Sequence, residues 1–490
     1  MLYAATPDPS MMRNRLVFDL YKEMTGEWGV NSMYVELIVN NEYKGVYVLM
    51  DKITNNVKRV NITASGGFIV KFDKTDVVDR VENVEGDQKT FATTRTGTGR
   101  AEWHPNGITS YDVKIDQRFE IEYPEKEDVE DAGGNWEATF GAIQKRFEDF
   151  ETALEKKDYT TVRSIIDYDS WADWFIINEY TKNMDAYRAS CIFVYNGNKI
   201  EARPLWDQEL SFNNVVANIK SVGANSTSGL LIQNNGVYSD AFKAPFWFTG
   251  GGTSITGGLL NDPCFVSLVK QKWATYKEGV LSSKEVGDMV DNYTTELTSN
   301  AITRENTMLN FNSTTRGQTS TCTGSKAIGY YGYGENTGSA TTHANSRDAI
   351  ESWVTSRIPA LTTAINGLKG EALIFTISPS TVETTPWQQV ILTVNAPEGY
   401  EYTVDYSELT AAGAIIKEGN NTYGIKIPRP DGNDWKTAGN GDPTVSEEYE
   451  FTANIEVSGE NACGTMQDGT ATSTITLKDV TEVCDPEIKP

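Results

Sequence analysis

Apolar and polar positions alternate along much of the first 125 residues, which is the pattern of half-buried β-strands. Residues 34–39 and 46–49 flank an Asn-rich stretch, so we expect a β-hairpin there. Residues 66–73 and 118–124 have the same character and predict two more strands. This part of the chain is therefore expected to form a largely antiparallel sheet.

A helical period replaces the alternation further along the chain. Residues 137–157 and 170–182 have helical periodicity, which predicts two helices. In the second, Trp171, Trp174, Phe175 and Asn178 share one face, and its three aromatic residues are expected in the core. In the second of them, Ser170 and Asp173 have the spacing of a capping box at the helix start. Asn183 is a plausible residue to end that helix.

Two further helical stretches are expected at about residues 263–300 and 346–367. The segments 213–257 and 312–346 are rich in Gly, Ser, Asn and Thr and are expected to be long loops. Such loops are either lids or substrate platforms, or mobile surface excursions. Tyr330-Tyr-Gly-Tyr333 could stack on a sugar or a peptide, although a flexible Gly-spaced loop explains it more simply.

A short β-ribbon is predicted between the two central helical regions. Residues 191–195 read as a strand, residues 196–199 as a tight turn, and Ile200 begins the returning strand. Because the two ends of a hairpin lie close together, Asp185 before the ribbon and Asp207 after it are expected to converge. Two convergent carboxylates suit metal-assisted chemistry on a phosphate, in which one acid holds a divalent cation and the other orients the nucleophile.

The last part of the chain has a different character. Short alternating stretches such as residues 390–394 and 473–478 are separated by Gly, Pro, Asn and Asp. A chain of 490 residues also exceeds the size at which a single core stops growing, about 250 to 300 residues. We therefore expect two domains, an α+β domain over residues 1–370 and an all-β, Ig-like sandwich over residues 371–490.

Composition narrows the classes of function. The 43 Lys and Arg against 68 Asp and Glu give a formal net charge of −25, which argues against nucleic-acid binding and against adsorption to an anionic membrane. No transmembrane segment and no intact secretory signal are recognisable. Of the five cysteines, only Cys463 and Cys484 are considered as a bridged pair. His104 and His343 have no partners at ligand spacing, which disfavours a histidine-based site.

Several motifs occur in an order that resembles the spore-coat-protein-H (CotH) kinase family, over roughly residues 5 to 367. They are an early Asp…Arg-Asn element at residues 8–14, an Asn-Asn-Glu-Tyr-Lys-Gly hairpin at residues 39–47, Asn183-Met-Asp185, Leu205-Trp-Asp207, and the segments 245–247 and 259–263. The resemblance implies an atypical protein-kinase-like fold, with an antiparallel sheet lobe and a helical lobe. It also implies transfer of the γ-phosphoryl group of ATP to protein hydroxyls, with Mg²⁺ or Mn²⁺ as the metal.

Carried over from the family, Asp185 would accept the proton of the substrate hydroxyl and Asp207 would bind the metal. Ser190 stands where kinases usually have a metal-binding Asn, five residues after the catalytic Asp. Serine is a weaker, shorter ligand, so binding of a second metal is in question. Glu209 stands at the position of a second acid in the family and could compensate.

Three residues are further candidates for nucleotide binding. Lys71 could contact the α and β phosphates. Asp51 stands where the family commonly has Glu and is expected to pair with Lys71, and Arg13 is a candidate phosphate contact. Plainer roles compete for four of the site residues. Asp185 would cap backbone amides in a turn, and Asp207 would be a buried-edge acid hydrogen-bonded beside Trp206. Glu209 would face solvent, and Lys71 would be an ordinary strand-surface lysine.

Three functions follow from these observations. The leading hypothesis is an extracytoplasmic, ATP- and Mg²⁺-dependent kinase acting on Ser or Thr of a protein substrate, possibly a surface protein. The second is a pseudokinase or surface scaffold, suggested by Ser190. The third is an adhesin that binds through the β-module and the Gly/Tyr loop.

Overall fold

The computed structural model describes most of the chain in two compact units, Met1–Gly370 and Glu371–Pro490. The described residues are 1–4, 8, 10–76, 89–96, 100–103, 113–214, 224–234, 245–251, 255–308, 343–370, 376–385, 387–396, 401–428, 448–460 and 471–480. The Tyr330–Tyr333 loop, Cys463 and Cys484 lie outside them.

The first unit mixes helices and antiparallel sheets. Its strands are β1 (Leu2–Ala4), β2 (Ser32–Val39), β3 (Glu42–Met50), β4 (Phe68–Asp76), β5 (Thr90–Phe91), β6 (Arg100–Trp103), β7 (Val113–Tyr123), β8 (Cys191–Tyr195) and β9 (Ile200–Glu201). Its helices are α1 (Arg13–Thr25), α2 (Lys126–Asp131), α3 (Trp136–Glu155), α4 (Tyr159–Ile165), α5 (Tyr168–Thr181), α6 (Leu231–Asn234), α7 (Pro263–Tyr276), α8 (Ser283–Leu297), α9 (Ser299–Met308) and α10 (His343–Asn366).

The N-terminal strands form two sheets. The β2–β3 hairpin and the strands β4 and β7 all occur where the alternation predicted them, and they pair antiparallel. The expectation of a single sheet is wrong, because β3 pairs with β1 and β2, whereas β4 lies between β7 and β8 in a second sheet. Strand β8 comes from much later in the chain, so a local sequence pattern could not reveal that it occupies this place.

Strand β8 lies in the interior of the second sheet. All five of its residues are buried, as expected for a strand covered on both faces. The ring of Phe193 stacks on Trp171 of α5 with 5.4 Å between centroids and meets Trp247 edge-on at 5.5 Å. The aromatic residues of α5 are therefore core residues, as predicted, and they fix the helix against the ribbon that carries the two acids.

Several helix boundaries differ from the predictions. The capping residue of α5 is Asp167, whose side chain accepts the backbone N–H of Ser170, and the helix ends at Lys182 in a left-handed conformation. The stretch 263–300 is interrupted, because the side chain of Ser282 caps a new helix, α8. Helix α1 was not predicted, although its buried residues follow a helical period and Gly26 ends it with φ of 69°.

Two four-stranded sheets make up the described part of the second unit. One contains β10 (Thr376–Ser378), β12 (Gln389–Asn395), β14 (Ile415–Glu418) and β15 (Thr422–Lys426), and the other contains β11 (Thr381–Thr384), β13 (Glu401–Asp405), β16 (Glu448–Glu460) and β17 (Ala471–Val480). Side chains of both sheets, such as Leu392 and Leu477, belong to one buried cluster. A short helix, α11 (Ser407–Ala411), interrupts the strands.

Cysteine usage departs from the prediction at Cys264. No pairing was predicted for this residue, but it is disulfide-bonded, and its partner lies outside the described residues. Cys191 is free and buried. Within the described ranges, none of the helices has both the length and the apolarity needed to cross a lipid bilayer.

Candidate active site

The two acids flank the predicted ribbon. Strands β8 and β9 pair antiparallel through Val194 with Glu201 and Tyr195 with Ile200, which confirms the hairpin. Asp185 lies in the turns between α5 and β8, and Asp207 follows β9.

A single asparagine links the backbones of both acids. The side-chain amide of Asn183 donates to the carbonyl of Asp207 at 2.9 Å, and its side-chain oxygen accepts the N–H of Asp185 at 3.1 Å. Asn183 is buried, with 1% of its surface exposed. The hydrogen bonds of one side chain therefore hold the two ends of the ribbon together.

Asp207 has an unusual backbone conformation. Its φ of 59° lies in the left-handed region, which costs free energy for a residue other than glycine. The peptide that follows is held at both of its polar atoms, by Asn183 at the carbonyl and by Asn14, whose side-chain oxygen accepts the N–H of Gln208 at 2.6 Å. These contacts fix the direction of the Asp207 side chain.

Ser190 contacts the expected metal ligand directly. Its hydroxyl donates to Oδ2 of Asp207 at 3.3 Å. Its own φ is 56°, again in the left-handed region. The residue therefore lies beside Asp207, and its side chain is a short hydroxymethyl group.

Glu209 adds a second carboxyl group next to Asp207. Its Oε2 atom is buried and has no hydrogen-bond partner among the described residues. Burial raises the pKa of Glu209 well above its usual range, and the charge of Asp207, a hydrogen bond to Asp207 and the charge of Asp185 raise it further. Glu209 is therefore not the solvent-facing strand residue of the plainer interpretation.

The acids form a set of hard oxygen donors. Carboxylates and hydroxyls are the ligands that Mg²⁺ prefers, and Oε2 of Glu209, which has no hydrogen-bond partner among the described residues, is a candidate cation ligand. Within the part of the chain that the structure describes, however, no three His, Cys, Asp or Glu side chains are arranged as a metal site. The donor atoms of these residues suit a divalent cation, but the side chains would have to rotate to coordinate it.

Asp185 is partly accessible. Its side chain is 18% exposed, and its Oδ1 atom accepts a hydrogen bond from Nη2 of Arg188 at 3.1 Å. Arg188 is buried and also donates to the carbonyl of Met184. Arg188 therefore orients the carboxyl group that was assigned as proton acceptor, a role that the sequence did not suggest.

Lys71 lies on the same sheet as the ribbon, because it is the direct neighbour of Ile192 in β8. Its ammonium group lies 3.3 Å from Glu120 and 3.3 Å from Glu122, both on β7. Burial lowers the pKa of Lys71, but the nearby carboxylates, Glu120 first, outweigh it, so the pKa is raised.

Asp51 is not the partner of Lys71, so that expected pairing is wrong. The carboxyl group of Asp51 accepts a hydrogen bond from Asn31 at 2.9 Å and lies 3.5 Å from Nε of Arg59. The physical reason is sheet membership: β3, which leads into Asp51, belongs to a different sheet from β4. The acid that pairs with Lys71 is Glu120, which lies directly opposite it in the β4–β7 ladder.

Arg13 does not face a phosphate site in this structure. Only 2% of its side chain is exposed, and it forms an ion pair with Asp8. Its Nε donates to the carbonyl of Ser211 at 2.9 Å, its Nη1 to Ser346 at 2.8 Å and its Nη2 to the carbonyl of Phe212 at 3.3 Å. All three nitrogens are engaged, so Arg13 anchors the loop that follows Asp207 rather than offering a free guanidinium group.

The roles of Asn14, Asn183 and Arg188 were not predicted from the sequence. Two of them stood in the quoted motifs, next to Arg13 and two residues before Asp185, but their side chains were given no part. Their burial was the missing information, because a buried amide or guanidinium must find partners and so marks where the backbone is held.

The fold and the site together describe a kinase-like protein, with acids at the two ends of a ribbon and a lysine–glutamate pair on the neighbouring strands. The family model described as CotH kinase protein matches residues 1–358, so the chain belongs to the CotH kinase family. A comparison with curated proteins finds no match. Membership of this family indicates a kinase-like function with ATP, a divalent metal and a protein substrate in general.

Proposed function

We propose that this protein transfers the γ-phosphoryl group of ATP to Ser or Thr hydroxyls of a protein substrate, with Mg²⁺ or Mn²⁺ bound. The observation that supports it most is the convergence of Asp207 and Glu209 beside Asp185, with an Oε2 atom of Glu209 that has no described hydrogen-bond partner. Such a group of acids is costly to maintain without a cation.

Each residue has a separate task in the proposed reaction. Asp185 accepts the proton of the substrate hydroxyl as its oxygen bonds to the γ-phosphorus and the bond from that phosphorus to the bridging oxygen of ADP breaks. Asp207 and Glu209, with Ser190 beside them, would hold the cation. When bound, the cation neutralises charge on the phosphates. Lys71 is the candidate contact for the α and β phosphates.

The Lys71–Glu120 pair supports the placement of the nucleotide. A lysine held by a glutamate on a neighbouring element is the arrangement that kinases use to position phosphates. The Lys71 side chain is 26% exposed, and its ammonium group lies 3.3 Å from both Glu120 and Glu122. Asp51 and Arg13 are not included in this proposal because their contacts are made elsewhere.

A second candidate function is nucleotide binding without transfer. Ser190 favours it, since a serine at this position is a poorer metal ligand than asparagine. In that case the fold serves as a scaffold or binding platform.

Calorimetric titration with ATP, in the presence and absence of Mg²⁺, tests the proposal. Wild-type protein is expected to bind ATP only with the metal, and Asp207→Ala is expected to abolish binding. Asp185→Ala should bind ATP normally and fail to transfer phosphate. Absence of ATP binding to wild-type protein at millimolar nucleotide with either metal would refute the proposal, and binding without transfer by wild-type protein would favour the scaffold.

We also propose an extracytoplasmic location and a surface protein as substrate. The disulfide at Cys264 supports the location, since structural disulfides persist mainly in oxidising compartments. The second unit, with its two sheets, would serve as a spacer or a binding module. Cell fractionation combined with thiol labelling of Cys264 tests this: a reduced thiol in the cytoplasmic fraction would contradict it.

A further inference from the structure

Tyr187, two residues after Asp185, has a backbone conformation that is rare for its residue type. Its φ is 70°, in the left-handed region, where a bulky aromatic residue is an outlier. Such a conformation persists only where the surrounding structure over-determines it, and residues of this kind cluster at functional sites. The contacts of Tyr187 therefore show what holds this part of the chain.

Tyr187 lies inside a closed turn that begins at Asp185. The carbonyl of Asp185 accepts the backbone N–H of Arg188 at 3.3 Å and that of Ala189 at 3.0 Å. We call residues 185–189 the Asp185 turn. Because Tyr187 is its central residue, any contact that fixes Tyr187 also fixes the backbone that carries the Asp185 carboxyl group.

Both ends of the Tyr187 side chain are held. The residue is buried, with 1% of its surface exposed, and its ring centroid lies 5.3 Å from that of Trp174 and 5.2 Å from that of Phe248. Its hydroxyl group donates to Oε1 of Glu179 at 3.1 Å and to the carbonyl of Phe175 at 3.2 Å. Aromatic packing and a buried carboxyl group together account for the left-handed conformation.

The carboxyl group of Glu179 binds a second segment as well. Its Oε1 atom, which accepts the hydroxyl of Tyr187, also accepts the backbone N–H of Ile232 at 2.9 Å. Its Oε2 atom accepts the backbone N–H of Leu231 at 2.5 Å. Glu179 is fully buried, so no water competes for these donors. One carboxyl group therefore joins the Asp185 turn to the start of α6.

Two cations hold the residues just before α6. Nη1 of Arg357 donates to the carbonyls of residues 227 and 229 at 2.5 and 2.7 Å, and Nζ of Lys182 donates to the carbonyl of residue 228 at 2.7 Å. Arg357 also donates through Nε to the carbonyl of Glu179 at 2.9 Å and lies 3.5 Å from its carboxyl group. We call residues 227–232 the clamped segment.

We propose that Tyr187 and Glu179 are positioning residues for the transfer reaction. They hold the Asp185 turn in the conformation that directs the Asp185 carboxyl group at the substrate hydroxyl, and they make this conformation depend on the clamped segment. The inference rests on the proposed function, because it concerns the acid assigned there as proton acceptor. Both residues are buried and act through Asp185, and a misplacement of about 1 Å can lower a rate about a hundredfold.

Tyr187→Phe tests the proposal, because it removes the hydroxyl group and keeps the ring. Glu179→Ala is less suitable, since it would leave Arg357 buried without its counter-charge. The measurement is transfer from γ-labelled ATP, with Mg²⁺, to a fixed pool of Ser- and Thr-containing peptides. Tyr187→Phe is expected to lower the maximal rate about tenfold and to change KM for ATP and the ATP affinity by less than about twofold.

Tyr180→Phe is the matched control. Tyr180 is also fully buried in α5, and its hydroxyl group donates to the carbonyl of Leu281 at 3.0 Å, which belongs to neither the Asp185 turn nor the clamped segment. Each substitution removes one buried phenol hydroxyl group, so both should lower the midpoint of thermal unfolding to a similar extent. Tyr180→Phe should leave the maximal rate unchanged. Equal losses of rate in the two variants, or an unchanged rate in Tyr187→Phe, would overturn the inference.

Amide hydrogen exchange gives a second readout, which requires no activity. Tyr187→Phe should speed exchange in the Asp185 turn and also at the amides of Leu231 and Ile232, which contact Glu179. Tyr180→Phe should leave exchange in both regions unchanged. Faster exchange confined to the Asp185 turn would overturn the dependence on the clamped segment. Absence of transfer by wild-type protein would instead refute the proposed function, and the exchange comparison would still decide whether the two segments are coupled.

Discussion

Asn183 donates its side-chain amide to the main-chain carbonyl of Asp207 at 2.9 Å, across the ends of the β8–β9 ribbon. Because Asn14 holds the N–H of the same peptide unit, the left-handed conformation of Asp207 is fixed from two sides. The direction of the candidate metal ligand thus depends on two buried amides that need not touch substrate.

Replacement of Asn14 by alanine should therefore affect both stability and metal binding. It leaves the buried N–H of Gln208 without its partner, at a cost of about 1 to 3 kcal/mol in the free energy of unfolding. It also frees Asp207 to leave its left-handed conformation, so Mg²⁺-dependent ATP binding should weaken. Denaturant unfolding and ATP titration measure the two effects.

Asn31→Ala is a suitable control for that substitution. It removes an exposed hydrogen bond to Asp51 and should change stability by no more than about 0.5 kcal/mol. Equal effects of the two substitutions would show that Asn14 has no special part in holding the loop.

Ser190→Asn should strengthen metal binding at the candidate site. Asparagine tolerates left-handed φ better than serine, so the backbone at 56° should accept it without loss of stability. Its longer side chain carries a carbonyl oxygen that can reach a cation. We expect a lower apparent Mg²⁺ requirement, measured as the metal concentration for half-maximal ATP binding. Ser190→Ala should show the opposite trend, and identical behaviour of the three proteins would remove Ser190 from the site.

Glu209→Gln should reveal the raised pKa through the pH dependence of stability. A carboxyl group whose pKa is raised in the folded state stabilises the fold at pH below its unfolded pKa, and this contribution is lost as pH rises through the folded pKa. The variant cannot ionise, so it should gain stability relative to wild-type protein as pH rises above about 4.3. Unfolding in the presence of EDTA measures the difference, and parallel pH curves would contradict the assignment.

Lys182 should produce the opposite pH dependence at alkaline pH. Burial lowers its pKa to about 8, helped by the charge of Arg357 and opposed by that of Glu179. Because the unfolded chain then holds a proton that the folded protein has lost, stability should rise with pH from about 8 to the normal lysine pKa of about 10.4. Lys182→Met should lack this rise when unfolding is compared across the same interval.

The parts of the fold that follow from local pattern were predictable from the sequence. Alternation located β2, β3, β4 and β7, and the ribbon around residues 196–199 followed from its turn. Sheet membership was not predictable, since β8 lies beside β4 through a pairing between residues more than a hundred positions apart. The disulfide at Cys264 was missed for the same reason, because spacing along the chain does not reveal proximity in space.

The residues of the candidate site were also only partly predictable from the sequence. Asp185 and Asp207 were predicted to converge because they flank one hairpin, whereas Ser190 and Glu209 became candidates only through the resemblance to the CotH family. Glu120 could not be chosen as the partner of Lys71 without the register of β4 on β7. Arg13, which stands in the motif at residues 8–14, was a candidate phosphate contact, and only its burial identifies it as an anchor.

The central claim is that Asp185 and Asp207 form one phosphoryl-transfer site, and radiolabelled transfer from γ-labelled ATP tests it most directly. Wild-type protein with Mg²⁺ should label itself or a peptide substrate. Asp185→Asn should lose label by at least about a hundredfold, as expected for removal of a general base, while it binds ATP as wild-type protein does. Undiminished labelling by Asp185→Asn, or by Asp207→Asn, would contradict the account.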